Sequence, residues 1–399
     1  MACAEQVSVD SCLLSCRHGL TVLVMVLIAI SSAGAAEEVK SPVISRGEGG
    51  RLVYHTDERG DRVPDFSNCG YMGQEKPIPD VPIRVVVRSS KGDNTQRIQT
   101  AIDYVAGLPT DTDGIRGAVL LLSGRYEVWG GLNISASGVV LRGQGTDRDG
   151  TVLVAAGSDR RTLIRIAGRN DRTNPAGKSY EIKDDYVPVG ACSFHPNTTE
   201  GLRVGDKVNI IRPSTKEWID ALGMAGFGGG LGAWRGWKPG PRDLVWDRVV
   251  KSIDGDLIVV DAPITTAIEA RFGGALVQPY SWPGRISNVG VENLRCESVF
   301  DANNPTDEAH SWMAVTLENV ENAWVRQVTM VHFAGSAVAV WESSKWVTVQ
   351  DCVSLAPVSE NGGYRRNTFF TMGQLTLFLH CRAEQGRHAG LVHRAQRLA

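Results

Sequence analysis

The densest run of side chains suited to an acidic ligand is SENGGYRRNTFF (359–370), which places Glu360, Tyr364, Arg365 and Arg366 in one short segment. A guanidinium holds a carboxylate through two parallel hydrogen bonds, and neutralising that carboxylate acidifies the neighbouring C–H. β-Elimination requires this, with Tyr364 or a histidine to move the proton. His310, His332 and His388 stand in DEAHSWM, VHFAG and GRHAG, each just outside an apolar strand pattern. His332 leads them because it directly precedes the small, strand-starting AGSAVAV. Their separations of 22 and 56 residues fit a column on one face of a stacked structure. Glu342 and Glu360 offer a different chemistry, the acid and base of a hydrolase, which sit about 5–9.5 Å apart. Each group also has an ordinary reading. Arg365 and Arg366 can be solvated loop charges, one of them in a structural ion pair, and a lone histidine is more often a satisfied structural residue.

Five of the ten tryptophans fall within 218–282: Trp218, Trp234, Trp237, Trp246 and Trp282. Trp234 and Trp237, in WRGWKPG (234–240) beside a Gly-rich loop (226–232), suit a wall whose indoles stack on sugar rings. Trp312 and His388 complete the expected binding surface. Packing anchors for an insertion are an equal alternative for the clustered tryptophans.

What positions these groups is a repeat. AVTLENVENAWVRQV (314–328) and AVAVWESSKWVTVQDC (337–352) align so that Val315, Leu317 and Val325 match Val338, Val340 and Val349. The offset is 23 residues and then 24 after a one-residue slip. Looser copies lie at 286–296 and 369–381. Three short strands and three turns take about this many residues, so the pattern predicts the coils of a parallel β-solenoid. His380 falls at the position of Asn293, Gln327 and Asp351, which favours a ladder role. Upstream, DNTQRIQTAIDYVAGL (93–108) has Ile98, Ala101, Ile102 and Val105 at helical spacing, with Asp93 as the expected N-cap. Residues 192–283 break the repeat and predict a β-rich excursion that is not an independent domain. Within it, Asp254-Gly255 marks a hairpin turn.

The helix motif GDNTQRIQTAIDYV (92–105), followed by GAVLLLSGRYEV (117–128) and SGVVLRGQG (137–145), resembles the start of pectate-lyase-superfamily β-helices. The likeness continues to about residue 388, and PDFSNCGYMG (64–73) resembles a lead-in of secreted members. The resemblance implies an all-β, right-handed parallel β-helix with a short capping helix. It also implies a carbohydrate-active protein with a polysaccharide as partner. A polysaccharide lyase on a uronate-containing glycan is the first reading. A glycoside hydrolase and a non-catalytic glycan-binding solenoid are the alternatives. No lyase catalytic motif, calcium-binding Asp cluster or polygalacturonase paired-Asp pattern is present. Calcium therefore enters by analogy of fold alone, and the residues nominate no metal ligands.

The expected organisation is a signal peptide (1–35), an N-terminal extension (36–91), the capping helix and first coils (92–191), the insertion (192–283), further coils (284–388) and an atypical tail (389–399). The leader has an apolar run from Leu20 to Ile30, too short to span a bilayer, followed by small residues Ala33 and Ala35. Export to the outside or the periplasm, without stable membrane association after cleavage, is the expectation. The tail AGLVHRAQRLA has neither strand alternation nor a polar cap, which predicts a truncated solenoid with reduced or absent catalysis. Charge is near balance, with 42 basic and 44 acidic residues and no basic stripe, which argues against a nucleic-acid partner. Oligomeric state is not encoded legibly. Cys296, Cys352 and Cys381 each close an apolar strand pattern and read as buried core residues, not a disulfide framework.

Overall fold

The computed structural model describes residues 43–174, 177–226 and 236–392. Residues 1–35, expected to be a signal peptide, Trp234 and residues 393–399 lie outside them. Residues 43–55 belong to a unit of their own, in which Ile44–Arg46 pairs antiparallel with Leu52–Tyr54.

From Ile83 onward the chain builds a parallel β-helix with three faces, interrupted by one excursion. The first face stacks Leu132–Ile134, Thr162–Ala167, Met313–Glu318, Ser336–Val340, Asn367–Thr371 and His388–Val392 in order. The second runs from Ile83–Val87 and Gly117–Leu121 through Val139–Arg142 and the first halves of Ile286–Ser298 and Val320–Val331 to Lys345–Gln350 and Leu377–Leu379. The third takes Gly124–Val128, Thr151–Ala155, the second halves of the same two long strands, Val353–Leu355 and Arg382–Ala383. The register follows the sequence repeat: Val315 pairs with Val338, Leu317 with Val340 and Val325 with Val349. All six are fully buried, forming continuous valine and leucine ladders.

The one-residue slips are the corners. Asn293, Gln327, Asp351 and His380 all take positive φ, between 51° and 55°, where the strand turns from the second face to the third. A left-handed residue turns the chain without breaking the stack, and asparagine tolerates that conformation best among non-glycines. His380 therefore sits on a corner ladder, its Nδ1 3.3 Å from Asp351 Oδ1 on the coil below.

The capping helix, α1 (Thr95–Ala106), buries Ile98, Ala101, Ile102 and Val105 against the first coil, as the spacing predicts. Its N-cap position is Asn94, one residue later than expected. Asp93 still accepts the Thr95 amide, while the Asn94 side chain is fully buried and bonded to Ser90 and Gly92.

The excursion is larger than 192–283. It leaves the first face after Ala167 and returns at Ile286, because the short strands at Tyr180–Glu181 and Tyr186–Val187 already pair with strands inside it. Its mainly antiparallel sheet surrounds a second core built on Phe194, Val208, Ile210, Trp246, Ile258 and Val277. The hairpin turn is Gly255-Asp256, one residue past the expected pair, with Asp254 opposite Leu257. A short helix, α2 (Lys216–Ala221), capped by Thr215, was not foreseen. The expected loss of strand at 389 is also corrected. His388–Val392 pairs along Asn367–Thr371, since backbone pairing needs no side-chain alternation.

Candidate functional site

Two long corner loops, 299–312 and 356–366, carry most of the residues nominated from sequence. They meet each other and lock. Arg365 grips Glu308 through Nε and, at 3.1 Å, through Nη2, while Arg160 binds the same carboxylate at 2.6 Å. The Arg365 hydrogen bond, aided by both guanidinium charges, holds the Glu308 carboxyl below its usual range despite desolvation. Arg366 sits at φ 55° and gives Nη2 to the Ser359 carbonyl at 2.5 Å. The paired arginines expected to clamp a substrate carboxylate are thus engaged with the protein, Arg365 in an ion pair with Glu308 and Arg366 with a backbone carbonyl. Glu360 lies on the rim, 3.9 Å from Arg365 Nη2, and Tyr364 is exposed beside it.

His310 is corrected from proton carrier to loop tie. It is 1% exposed, with Nδ1 2.8 Å from Ser298 Oγ and Nε2 3.0 Å from the Val358 carbonyl. A carbonyl only accepts, so Nε2 carries the proton and Nδ1 receives the serine hydroxyl. Both nitrogens are committed. His332 occupies a left-handed corner, φ 71°, edge-on to Phe300 at 4.8 Å. Burial lowers its pKa, against the raising effect of a Ser298 backbone hydrogen bond and the Glu297 charge. It is half-buried.

His388 does not complete a column with these two. It pairs with Asn367 at the start of a first-face strand, whereas Ala356 and Gln385 share the left-handed conformation of His332 at the corner. The longer loop at 356–366 shifts the count, which spacing alone cannot reveal.

Trp312 lies beside Gly335, where a Cβ would come within 2.3 Å of its indole nitrogen, so the glycine is what admits the ring. The Arg160 guanidinium stacks on that ring at 4.9 Å. Trp237 packs 5.9 Å from Trp218 with Arg242 over it at 5.2 Å, consistent with an anchor inside the excursion. Trp234 falls outside the described residues.

Glu342 and Glu360 have different surroundings, Glu360 lying near Arg365 on the loop rim. Glu342 instead lines a cavity of about 240 Å³ between the excursion and the solenoid wall, with Asn170, Arg172, Trp282, Ser343 and Gln374. Arg172 lies 5.2 Å over Trp282 and 5.8 Å from the Tyr280 ring, and it makes no ion pair among the described residues. Below the cavity runs a buried charge network. Asp247 receives Arg285 at 2.7 Å and the Tyr280 hydroxyl at 2.8 Å, and Lys345 bridges to Asp261 at 3.0 Å. Burial alone would raise the Asp247 pKa, but the Lys345 and Arg285 charges hold it far below the usual carboxylate range. Gln374 is fixed to this network by the Asp247 amide at 3.0 Å and by its own Nε2 bond to the Val245 carbonyl at 3.0 Å.

Sequence reasoning missed Arg172, Asn170, Ser343 and Gln374. Trp282 was visible only as one of a cluster. Nothing in RNDRTN (169–174) marks Arg172, since its role comes from a ring more than a hundred residues away. Among the described residues no group of three or more His, Cys, Asp or Glu could hold a metal ion. With one carboxylate among the described residues of the cavity, these residues do not form a calcium ligand set. No helix among the described residues is long and apolar enough to cross a membrane.

No family model and no curated protein matches the chain. Among solved structures, the tailspike protein gp49 from Pseudomonas phage LKA1 is similar at 14% identity and a TM-score of 0.39, covering 71% of this chain and 38% of that one. The polygalacturonase from Erwinia carotovora ssp. carotovora is similar at 12% identity and a TM-score of 0.32, covering 77% and 57%. The gp54 tailspike of Acinetobacter baumannii bacteriophage AP22, solved in complex with a capsular saccharide, is similar at 10% identity and a TM-score of 0.26, covering 72% and 52%. This chain spans 38–57% of the length of these three structures.

Proposed function

We propose that the chain is an exported, carbohydrate-active β-helix protein that seats one unit of an acidic glycan in the cavity between the excursion and the solenoid. The observation that carries this reading is the pairing of Arg172, held over aromatic faces and without an ion pair among the described residues, with Glu342 across one small polar cavity. A volume of about 240 Å³ suits roughly one sugar ring, smaller than a site for a drug-sized ligand. Trp282 supplies an apolar face, while Asn170, Ser343 and Gln374 supply hydroxyl and amide partners. In the lyase reading Arg172 neutralises the uronate carboxylate, and Glu342 takes the proton from the adjacent carbon. A hydrolase needs two carboxyl groups, and among the described residues the cavity lining supplies only Glu342. A binding solenoid uses the same contacts without chemistry.

The test is a panel of uronate polymers incubated with the chain and with Glu342→Gln. Ultraviolet absorbance of a new unsaturated uronide, lost in Glu342→Gln, supports the lyase. Binding without absorbance or new reducing ends supports the solenoid that only grips. New reducing ends without absorbance, or no binding to any acidic polymer, would remove the reading.

A further inference from the structure

Two thiols stand one above the other in the core of successive coils. Val353 pairs with Arg382, so the residues before them, Cys352 and Cys381, hold the same position on neighbouring coils. The Arg382 amide donates to the Cys352 carbonyl at 2.9 Å, which fixes that register. Neighbouring strands lie about 4.8 Å apart, inside the Cα separations of about 4.4–6.8 Å that a disulfide spans. Cys352 is fully buried, and Cys381 is partly buried against the same core. Both follow left-handed corner residues, Asp351 and His380, so their backbones turn alike. Each thiol donates to backbone carbonyls of its own and the neighbouring coil, Cys352 Sγ to Val325 and Gln350 and Cys381 Sγ to Val349 and Leu379. Cys296 supplies the internal contrast. It stacks between Leu153 and Met330 and has no cysteine above or below.

We propose that Cys352 and Cys381 form a covalent modification site, oxidised by exchange with a low-molecular-weight disulfide into a staple between the two coils. The neighbouring Cys352 thiol draws the Cys381 thiol down to about 7 against the opposing effect of burial, while burial pushes Cys352 well up. Cys381, the more accessible of the two, is therefore the attacking thiolate. It forms a mixed disulfide and expels one thiolate of the reagent. Cys352 then loses its proton to that thiolate and attacks Cys381 Sγ, expelling the second. Two protein thiols are oxidised, and one reagent disulfide is reduced to two thiols. The staple closes a loop that contains residues 356–366, the segment carrying Glu360, Tyr364 and Arg365.

The test uses the full chain, reduced, freed of reductant and incubated with glutathione disulfide at neutral pH. It is then acid-quenched, alkylated, digested and mapped by mass spectrometry. The expected product is a peptide linking Cys352 to Cys381, with Cys296 alkylated as a free thiol. Cys352→Ser is expected to stop at a stable glutathione adduct on Cys381, and Cys381→Ser to leave Cys352 unmodified. A parent chain in which both cysteines remain alkylated separately, or in which Cys381 keeps glutathione without cross-linking, overturns the proposal. The parent result decides even if a serine variant fails to fold.

Discussion

Replacing Lys345 by methionine keeps the length of the side chain and removes the cation that joins the excursion to the solenoid. Lys345 is 1% exposed and lies 3.0 Å from Asp261 and 3.5 Å from Asp247, whose side chains are 2% and 8% exposed. Asp247 retains Arg285, and Asp261 retains the Val249 amide, so neither carboxylate is stripped bare. Removing one partner of a buried pair costs about 3–5 kcal/mol because the remaining charge is left poorly compensated. Unfolding entropy of about 2.1 cal/mol/K per residue, over roughly 340 residues, gives about 0.7 kcal/mol/K. Lys345→Met should therefore melt about 4–7 °C below the parent near pH 7 in a calorimetric scan. The pH dependence supplies the second check. Folded Asp247 has a depressed pKa, so its contribution is complete above the unfolded value of about 3.9 and is lost as pH falls below it. The variant has less of that contribution to lose, so the two melting curves should converge in acid. A variant melting within about 1 °C of the parent at neutral pH, or a gap that widens in acid, would refute the clamp.

Arg172→Ala should weaken binding of an acidic glycan by about 10–100-fold, the loss of a charge-assisted hydrogen bond, while the melting temperature hardly moves. Calorimetric titration beside a thermal scan checks both halves, and a parallel loss of stability would make Arg172 structural. Arg365→Ala should do the reverse, lowering thermal stability at neutral pH and leaving glycan binding intact. Because Glu308 has a depressed folded pKa, that stability gap should close as pH falls through the carboxylate range; a gap constant with pH counts against the pair. An NMR titration of His332 should give a midpoint below about 6.5, and its contribution to stability should decline as pH drops through that value. A midpoint at or above the model-peptide value would mean that burial does not dominate at that corner.

The coils were legible because stacking imposes the same demand on every turn. Val315, Val338 and the residues aligned with them must all be apolar, and that repetition survives in the sequence as a spacing. The corner slip survives as well, since a residue forced into the left-handed region leaves an asparagine, aspartate or histidine at a fixed offset, as at Asn293, Asp351 and His380. The cavity has no such signature. Arg172 and Trp282 come from opposite ends of the excursion, and Glu342, Ser343 and Gln374 come from two coils; each is constrained once, by one partner, so no pattern repeats. Local density of charge points to 359–370, where both arginines also have partners within the protein. A loop as long as 356–366 must satisfy its own backbone and fix itself to its neighbour, and Arg365 on Glu308, Arg366 on Ser359 and His310 on Val358 do this. On a solenoid, then, a run of charged residues inside one long corner loop must be weighed against that loop's own ion pairs and backbone, whereas the proposed cavity is assembled from single residues of separate segments and leaves no run to find.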